Sequence, residues 1–239
     1  YGVGGDEENP NRISRLYIKY NKKTKQWEAG QPEEVTYDIY PLFKDAEGRV
    51  HSSSMFIGAG RIAQSRKVKV GTHYRIYCAV WTVTKDIRQH HNYALYSDDF
   101  GKTWKILGGT SCISSADEAK VEELNDGTIV VSSRKSGGRY FNVYSFTNLN
   151  TAAGSWGSRS SATFAGSNST NGELMLYNNV TNVSTGKQAN ILLQSLPTGS
   201  SRSNVAVYYK VIDDNTTYKP SNFTSGWTKG IEVDNGASA

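Results

Sequence analysis

Apolar and polar residues alternate with a period of two along most of the chain. Residues 13–20 read Ile-Ser-Arg-Leu-Tyr-Ile-Lys-Tyr, and residues 74–83 read Tyr-Arg-Ile-Tyr-Cys-Ala-Val-Trp-Thr-Val. Residues 128–133, 140–146, 189–194 and 204–212 are likewise short and rich in β-branched or aromatic side chains. Successive side chains of a strand point to opposite faces, so each run predicts a strand with one buried face. Turn chemistry separates them: Asp126-Gly127, Ser136-Gly137-Gly138, Gly199-Ser200-Ser201 and Asp213-Asp214-Asn215. No stretch longer than ten residues has convincing helical spacing. The pattern predicts an all-β fold: a sandwich, a barrel or a propeller.

A weak internal repeat favours the propeller. Several segments run strand, polar turn, Trp, ending at Trp27, Trp104, Trp156 and Trp227. The gaps between them are 77, 52 and 71 residues, which suits four-stranded blades with uneven loops. The sharpest copy is Ser97-Asp98-Asp99-Phe100-Gly101-Lys102-Thr103-Trp104, which fits Ser-x-Asp-x-Gly-x-Thr-Trp, the Asp-box. The Asp99 carboxylate is expected to accept backbone N–H groups across a tight hairpin, with Ser97 and Thr103 beside it. Gly101 supplies a backbone conformation that a side chain forbids. Trp104 is expected to bury its ring between neighbouring blades. Asp99 is therefore read as structural rather than catalytic.

Composition narrows the class. The 239 residues suit one large domain or two small ones. Lys and Arg total 27 against 22 Asp and Glu, a balance of +5, and the basic residues are scattered. No block of five like charges marks a nucleic-acid footprint, so no nucleic-acid partner is expected. No apolar run is long enough to span a membrane as a helix. Aromatic residues make up 11% of the chain, which argues against disorder. Cys78 lies in an apolar run and reads as a small hydrophobe; with Cys112 it makes neither a disulfide framework nor a zinc site. His90-His91 reads as part of a polar loop without further metal ligands. Residues 1–5, Tyr-Gly-Val-Gly-Gly, do not form a signal peptide, so the chain reads as processed or as a piece of a longer one. Asn-x-Ser/Thr sequons occur at Asn168, Asn179, Asn182, Asn215 and Asn222, and matter only if the source glycosylates.

Beyond the Asp-box, matching segments run nearly end to end. They include Glu8-Asn9-Pro10-Asn11-Arg12, Tyr37-Asp38-Ile39-Tyr40-Pro41, Gly60-Arg61-Ile62-Ala63-Gln64-Ser65-Arg66, Glu118-Ala119-Lys120-Val121-Glu122-Glu123-Leu124, Ser132-Ser133-Arg134 and Arg202-Ser203-Asn204-Val205. Together they resemble bacterial exo-α-sialidases (neuraminidases), most closely the secreted Bacteroides-like type. The resemblance implies a six-bladed β-propeller that removes terminal sialic acid with retention. It also implies a secreted, periplasmic or cell-surface location, a sialylated glycan substrate and no cofactor. In that family three arginines hold the sugar carboxylate, a Tyr hydroxyl attacks the anomeric carbon with a Glu as its base, and an Asp handles the leaving-group proton. The physical need is clear. A carboxylate nucleophile would meet a like charge at the anomeric carbon, whereas a neutral Tyr polarised by Glu does not.

Carried over residue by residue, the resemblance makes Glu118 the general base. Arg134, sixteen residues on, becomes one clamp arginine and Arg202 another. Planar guanidinium groups suit a planar carboxylate through paired N–H donors. Glu122 and Glu123 share the strand with Glu118 and rival it. Arg139 lies sixteen residues after Glu123 and rivals Arg134, but is read as tying the following turn. Asn171-Gly172-Glu173 is placed near the rim, as loop structure or as substrate contact.

The first clamp arginine, the acid Asp and the Tyr nucleophile have no counterpart in the sequence. Residues 1–239 are therefore expected to be a partial catalytic propeller of roughly four blades, lacking the N-terminal and C-terminal ones. The remaining blades are then partners, in the same polypeptide or in a second chain. The 239-residue chain by itself is expected not to turn over substrate. Two other readings stand beside the hydrolase: a sialic-acid-binding propeller without catalysis, and an Asp-box propeller serving as an interaction module.

Overall fold

The structure, a computed structural model, describes residues 10–43, 52–58, 60–84, 88–164, 170–199 and 202–237. The Asn168 sequon, Glu8-Asn9 and both chain ends lie outside them. The architecture is all-β and antiparallel, with one four-residue α-helical turn at Thr36–Ile39 and three short 3-10 turns among the described residues. The chain divides into two compact units: residues 1–56 with 82–88, and residues 57–81 with 89–239.

The smaller unit holds β1 (Ser14–Arg15), β2 (Ile18–Asn21), β3 (Gln26–Ala29), β4 (Glu33–Glu34) and most of β5 (Ser52–Ile57). Residues 13–20 do not make the single strand that their alternation predicts. They split into β1, which pairs with β4, and β2, which pairs with β3. The two short ribbons leave Ile18, Tyr20 and Trp27 exposed, so the alternation there does not report a buried face. The core is Val35, Ile39, Tyr40, Phe43 and Met55. The Tyr40 hydroxyl accepts Asn11 N–H at 3.0 Å, and Asn11 Nδ2 donates to Met55 O at 3.0 Å.

The larger unit is built from three antiparallel sheets. The first contains β6 (Ala63–Val70), the body of β7 (His73–Thr84), β8 (His90–Ser97), β9 (Lys105–Ile106) and β10 (Ile113–Ser114). The second contains β11 (Ala119–Glu123), β12 (Ile129–Lys135), β13 (Gly138–Asn148), β14 (Ala153–Trp156) and β15 (Ser160–Ala162). The third contains β16 (Leu174–Thr181), β17 (Gln188–Pro197), β18 (Ser203–Ile212) and β19 (Thr228–Ala237).

The middle sheet is buried on both faces. Ala119, Val121, Ile129, Val131 and Tyr144 pack against Tyr77, Ala94 and Tyr96 of the first sheet. Val130, Phe141 and Val143 pack against Leu174, Leu176, Leu192 and Ile212 of the third. This double burial explains why Ile129, Val130 and Val131 are apolar in succession rather than in alternation. His90 and His91 lie in β8, not in a polar loop. His90 packs edge-on against Trp81 at 4.9 Å, and His91 Nδ1 sits 3.3 Å from Ser114 Oγ. Cys78 and Cys112 are buried free thiols.

The Asp-box closes the β8–β9 hairpin. Asp99 Oδ1 accepts Ser97 Oγ at 2.7 Å and Thr103 N–H at 2.9 Å, while Oδ2 accepts Thr103 Oγ1 at 2.7 Å. Gly101 has φ +82° and donates its N–H to Ser97 Oγ at 2.8 Å. Trp104 is half-buried and packs over Gly101 of its own hairpin, near Ile76, rather than deep between two sheets. The inter-sheet tie comes from its neighbour. Asp98 pairs with the fully buried Arg75 at 2.6 Å, and Arg75 donates to Leu149 O and Asn150 O of the next sheet. Trp227, like Trp104, lies immediately ahead of a strand, β19 and β9 respectively, whereas Trp156 is the last residue of β14. Trp227 stacks on Phe164 at 4.8 Å.

Partial burial opposes ionisation of Asp99, but the Thr103 and Ser97 donors outweigh it and hold its pKa at about 2. A depressed carboxyl stabilises the fold above the unfolded value near pH 4, and that contribution is lost as pH falls towards 2. Asp99→Ala is expected to cost about 1–3 kcal/mol at neutral pH, a fall of roughly 3–10 °C in Tm. Thermal unfolding followed between pH 7 and pH 2 should show the gap from the native protein closing below pH 4.

Candidate functional site

The β11–β12 ladder sets the site. Its register pairs Ala119 with Ser133 and Lys120 with Ser132. Just beyond the last pair, Arg134 N donates to Glu118 O at 2.8 Å. Opposite residues of an antiparallel pair share a face, so the two side chains meet. Arg134 Nη1 donates to Glu118 Oε2 at 2.8 Å, and Arg134 Nε stands 3.4 Å from Asp117 Oδ2. Asp117 is fixed in turn. Its carbonyl accepts Asn92 Nδ2 at 2.6 Å and Ser133 Oγ at 3.0 Å, and its Oδ1 accepts Glu118 N–H at 2.9 Å.

Glu118 and Arg134 line a cavity of about 300 Å³ together with Arg202, which lies just ahead of β18 on the third sheet. Thr170, Asn171 and Ser195 give the cavity a polar wall, and Leu196, Pro197 and Val205 an apolar one. The three residues singled out from the sequence thus share one cavity, although 84 residues separate the first from the last. Arg202 is exposed at its mouth. Burial disfavours the charged form of Glu118, but the hydrogen bond and charge of Arg134 more than offset it and lower its pKa. Asp117 moves the other way: burial first, then the adjacent Glu118 charge, raise its pKa. Two guanidinium groups and an ionised carboxylate in a half-polar cavity can hold a small anionic molecule and accept a proton from it.

The rivals point elsewhere. Glu122 is buried on the face towards the third sheet, where it binds Arg61, Arg66 and Leu176 N–H. Glu123 is buried on the opposite face against Ser65 Oγ at 2.6 Å and Arg66 N–H. Arg139 does not tie the turn that follows Arg134. It is fully buried and donates to Ser132 Oγ at 3.0 Å, Ser132 O at 3.1 Å and Thr170 O at 2.7 Å. Ser132 Oγ donates onward to Gln194 Oε1 at 2.6 Å, and Gln194 Nε2 reaches Glu173 O and Ser195 O. This polar network backs the cavity wall at Thr170 and Ser195. Asn171 lines the cavity, whereas the Glu173 side chain turns away towards Arg61 and Lys120. Sequence reasoning passed over Asp117 and Gln194; the signal for Asp117 was its position beside the candidate base.

No protein-family model matches the chain, and no curated protein matches it significantly.

If Arg134 is what keeps Glu118 ionised, Arg134→Gln should raise the Glu118 pKa, because burial then acts unopposed by the guanidinium. Carboxyl-carbon NMR titration of selectively labelled glutamate reads this directly. An unchanged Glu118 titration would show that the pair does not control its charge.

Proposed function

We propose that the protein is an exo-α-sialidase acting on terminal sialic acid of glycoconjugates, and that its sheets are blades of a six-bladed propeller. The observation that carries the reading is the convergence of Glu118, Arg134 and Arg202 on one cavity, with Arg134 hydrogen-bonded to Glu118. The Asp-box on the first sheet and the face-to-face succession of antiparallel sheets support the propeller. So does the far face of the third sheet, where Tyr177, Val211 and Ile231 are exposed, as on a sheet made to pack against another.

In this reading Arg134 and Arg202 receive the sugar carboxylate, each through paired N–H donors. The apolar wall takes the ring and its N-acetyl methyl, and Thr170, Asn171 and Ser195 meet hydroxyl and amide groups. Glu118, held ionised, takes the proton of the attacking hydroxyl. The Tyr nucleophile, the acid and a further arginine carry no assignment among residues 1–239. The groups that are assigned also suffice for binding alone, which keeps a non-catalytic sialic-acid-binding propeller as the second reading.

The test uses the intact natural protein. N-acetylneuraminic acid should bind measurably by calorimetry, and its uncharged methyl ester at least tenfold more weakly. Arg134→Ala should weaken binding roughly 30-fold or more, the penalty of truncating a partly buried charged partner. Arg202→Ala, at the exposed mouth, should cost less. Equal affinity for acid and ester would overturn the reading. Release of sialic acid from a fluorogenic sialoside, lost in Glu118→Gln while binding persists, selects the hydrolase; binding without release selects the second reading.

A pH signature follows from Asp117. Its carboxylate competes for Arg134, and its raised pKa means that it discharges at a higher pH than a free aspartate. Affinity for the acid sugar should therefore rise as pH falls through that range, and Asp117→Asn should bind tightly without the rise.

A further inference from the structure

The wall that Thr170, Asn171 and Ser195 give the Glu118 cavity is bonded to groups that cannot reverse their roles. The chain of bonds begins at Arg139, which is 1% exposed and carries only donors. Its Nε–H occupies an acceptor site on Ser132 Oγ, so the hydroxyl proton goes onward, to Gln194 Oε1 at 2.6 Å. The Gln194 amide is thereby turned so that Nε2 meets Glu173 O at 3.0 Å and Ser195 O at 3.2 Å. The opposite amide orientation would set Oε1 against two carbonyl oxygens and leave the Ser132 proton without that acceptor.

The same guanidinium holds the wall segment itself. Arg139 Nη1 donates to Thr170 O at 2.7 Å. Three residues on, Glu173 O accepts Ser195 N–H at 3.0 Å besides Gln194 Nε2. Between these points Gly172 lies flush against β17, where a Cβ would stand 1.9 Å from Ser195 O. Residues 170–173 are thus clamped at both ends, by Arg139 at one and by Gln194 at the other.

The clamp decides what the wall can offer. Asn171 Oδ1 accepts Gly172 N–H at 2.9 Å, so Nδ2 is the end of that carboxamide left for a ligand. Ser195 Oγ accepts Glu173 N–H at 3.0 Å, so its own proton is left to donate. Donors on Asn171 and Ser195 then border the cavity beside the Arg134 guanidinium. A ligand that fills this space has to carry neutral acceptor oxygens beside its carboxylate. A group that only donates finds no partner at Asn171, and the mismatch selects against it.

We propose that Arg139, acting through Ser132 and Gln194, is a positioning residue that holds this wall in its donor state, and that Asn171 Nδ2 selects a neutral acceptor oxygen on the bound acid. A hydroxyl or an amide carbonyl supplies that oxygen. The selection by Asn171 rests on the sialic-acid reading; the clamp does not.

Affinities of the intact protein for N-acetylneuraminic acid and for acetate, measured by NMR titration, test the proposal through their ratio. Loss of the Arg139 charge weakens both carboxylates alike and cancels in that ratio. Asn171→Ala should lower the preference for the acid sugar roughly three- to tenfold, the effect of one neutral hydrogen bond. Arg139→Met should lower it likewise, and Arg139→Lys should recover part of it, since an ammonium also only donates. An unchanged ratio in Asn171→Ala or in Arg139→Met overturns the proposal, and so do equal ratios in the Lys and Met variants. Should Arg139→Met fail to fold, Ser132→Ala takes its place: it cuts the relay to Gln194 and leaves Arg139 on Thr170, with the same fall expected. If the natural protein binds no acid sugar, the sialic-acid reading fails, and with it the selection by Asn171. The clamp is then judged by exchange of the Gln194 side-chain amide protons with water, which should be at least tenfold faster in Arg139→Met or Ser132→Ala than in the natural protein. Equal exchange rates overturn it.

Discussion

Register between β11 and β12 is the constraint on which the candidate site rests. The turn that joins them sets it: Leu124 N donates to Thr128 O at 2.8 Å, Gly127 N to Leu124 O at 2.9 Å, and Thr128 N to Asp126 Oδ1 at 2.9 Å. Counting outward from that turn brings Glu118 opposite Arg134 at the open end of the ladder. A slip of one residue would send every side chain of one strand to the other face. Both faces of the middle sheet are packed against other sheets, so neither could absorb the slip. The pair is therefore held by the apolar residues of the two strands far more than by its own attraction, which half-exposed charges supply only weakly.

The same rigidity explains the placement of the remaining acids on β11. Glu122 and Glu123 are adjacent, so they leave opposite faces and meet different sheets. Each enters a buried position only because donors await it: Arg61, Arg66 and Leu176 N–H for Glu122, Ser65 and Arg66 N–H for Glu123. They act as ties between sheets. Glu118, one step beyond the ladder, escapes full burial and reaches the cavity. The difference in role among three acids within six residues is a difference in distance from the sheet edge.

Much of this was legible in the chain. Period-two alternation located β7, β12, β13, β17 and β18, because each has at least one face packed on a core. It misled at residues 13–20, where short ribbons alternate without burying a face. The Asp-box was readable down to its hydrogen bonds, since its physics is confined to eight residues. Arg139 was not. Its partners, Ser132 and Thr170, lie on either side in the sequence, and nothing local announces that a guanidinium will be buried. Gln194 is hidden for the same reason: its role is set by a sheet-to-sheet contact with Ser132, 62 residues away. The close approach of Gly58 and Gly60 to Ala119 and Lys120 of β11 is likewise not encoded by spacing along the chain.

The buried arginines divide by what satisfies them, and the division bears on the cavity. Arg75 is balanced by Asp98, so its charge is spent locally on joining two sheets. Arg139 meets a hydroxyl and two carbonyls, with no carboxylate in hydrogen-bond contact. Burial drives its pKa down to about 9, with the Glu118 charge opposing and the Arg134 charge reinforcing the shift. A guanidinium still charged at neutral pH but not neutralised by a bound acid projects its field into its surroundings, and the low-dielectric interior screens that field weakly. Its Thr170 contact aims it at the wall of the cavity that holds Arg134. The burial cost of Arg139 and the positive potential of the cavity are thus two consequences of one choice, carbonyl partners in place of carboxylates.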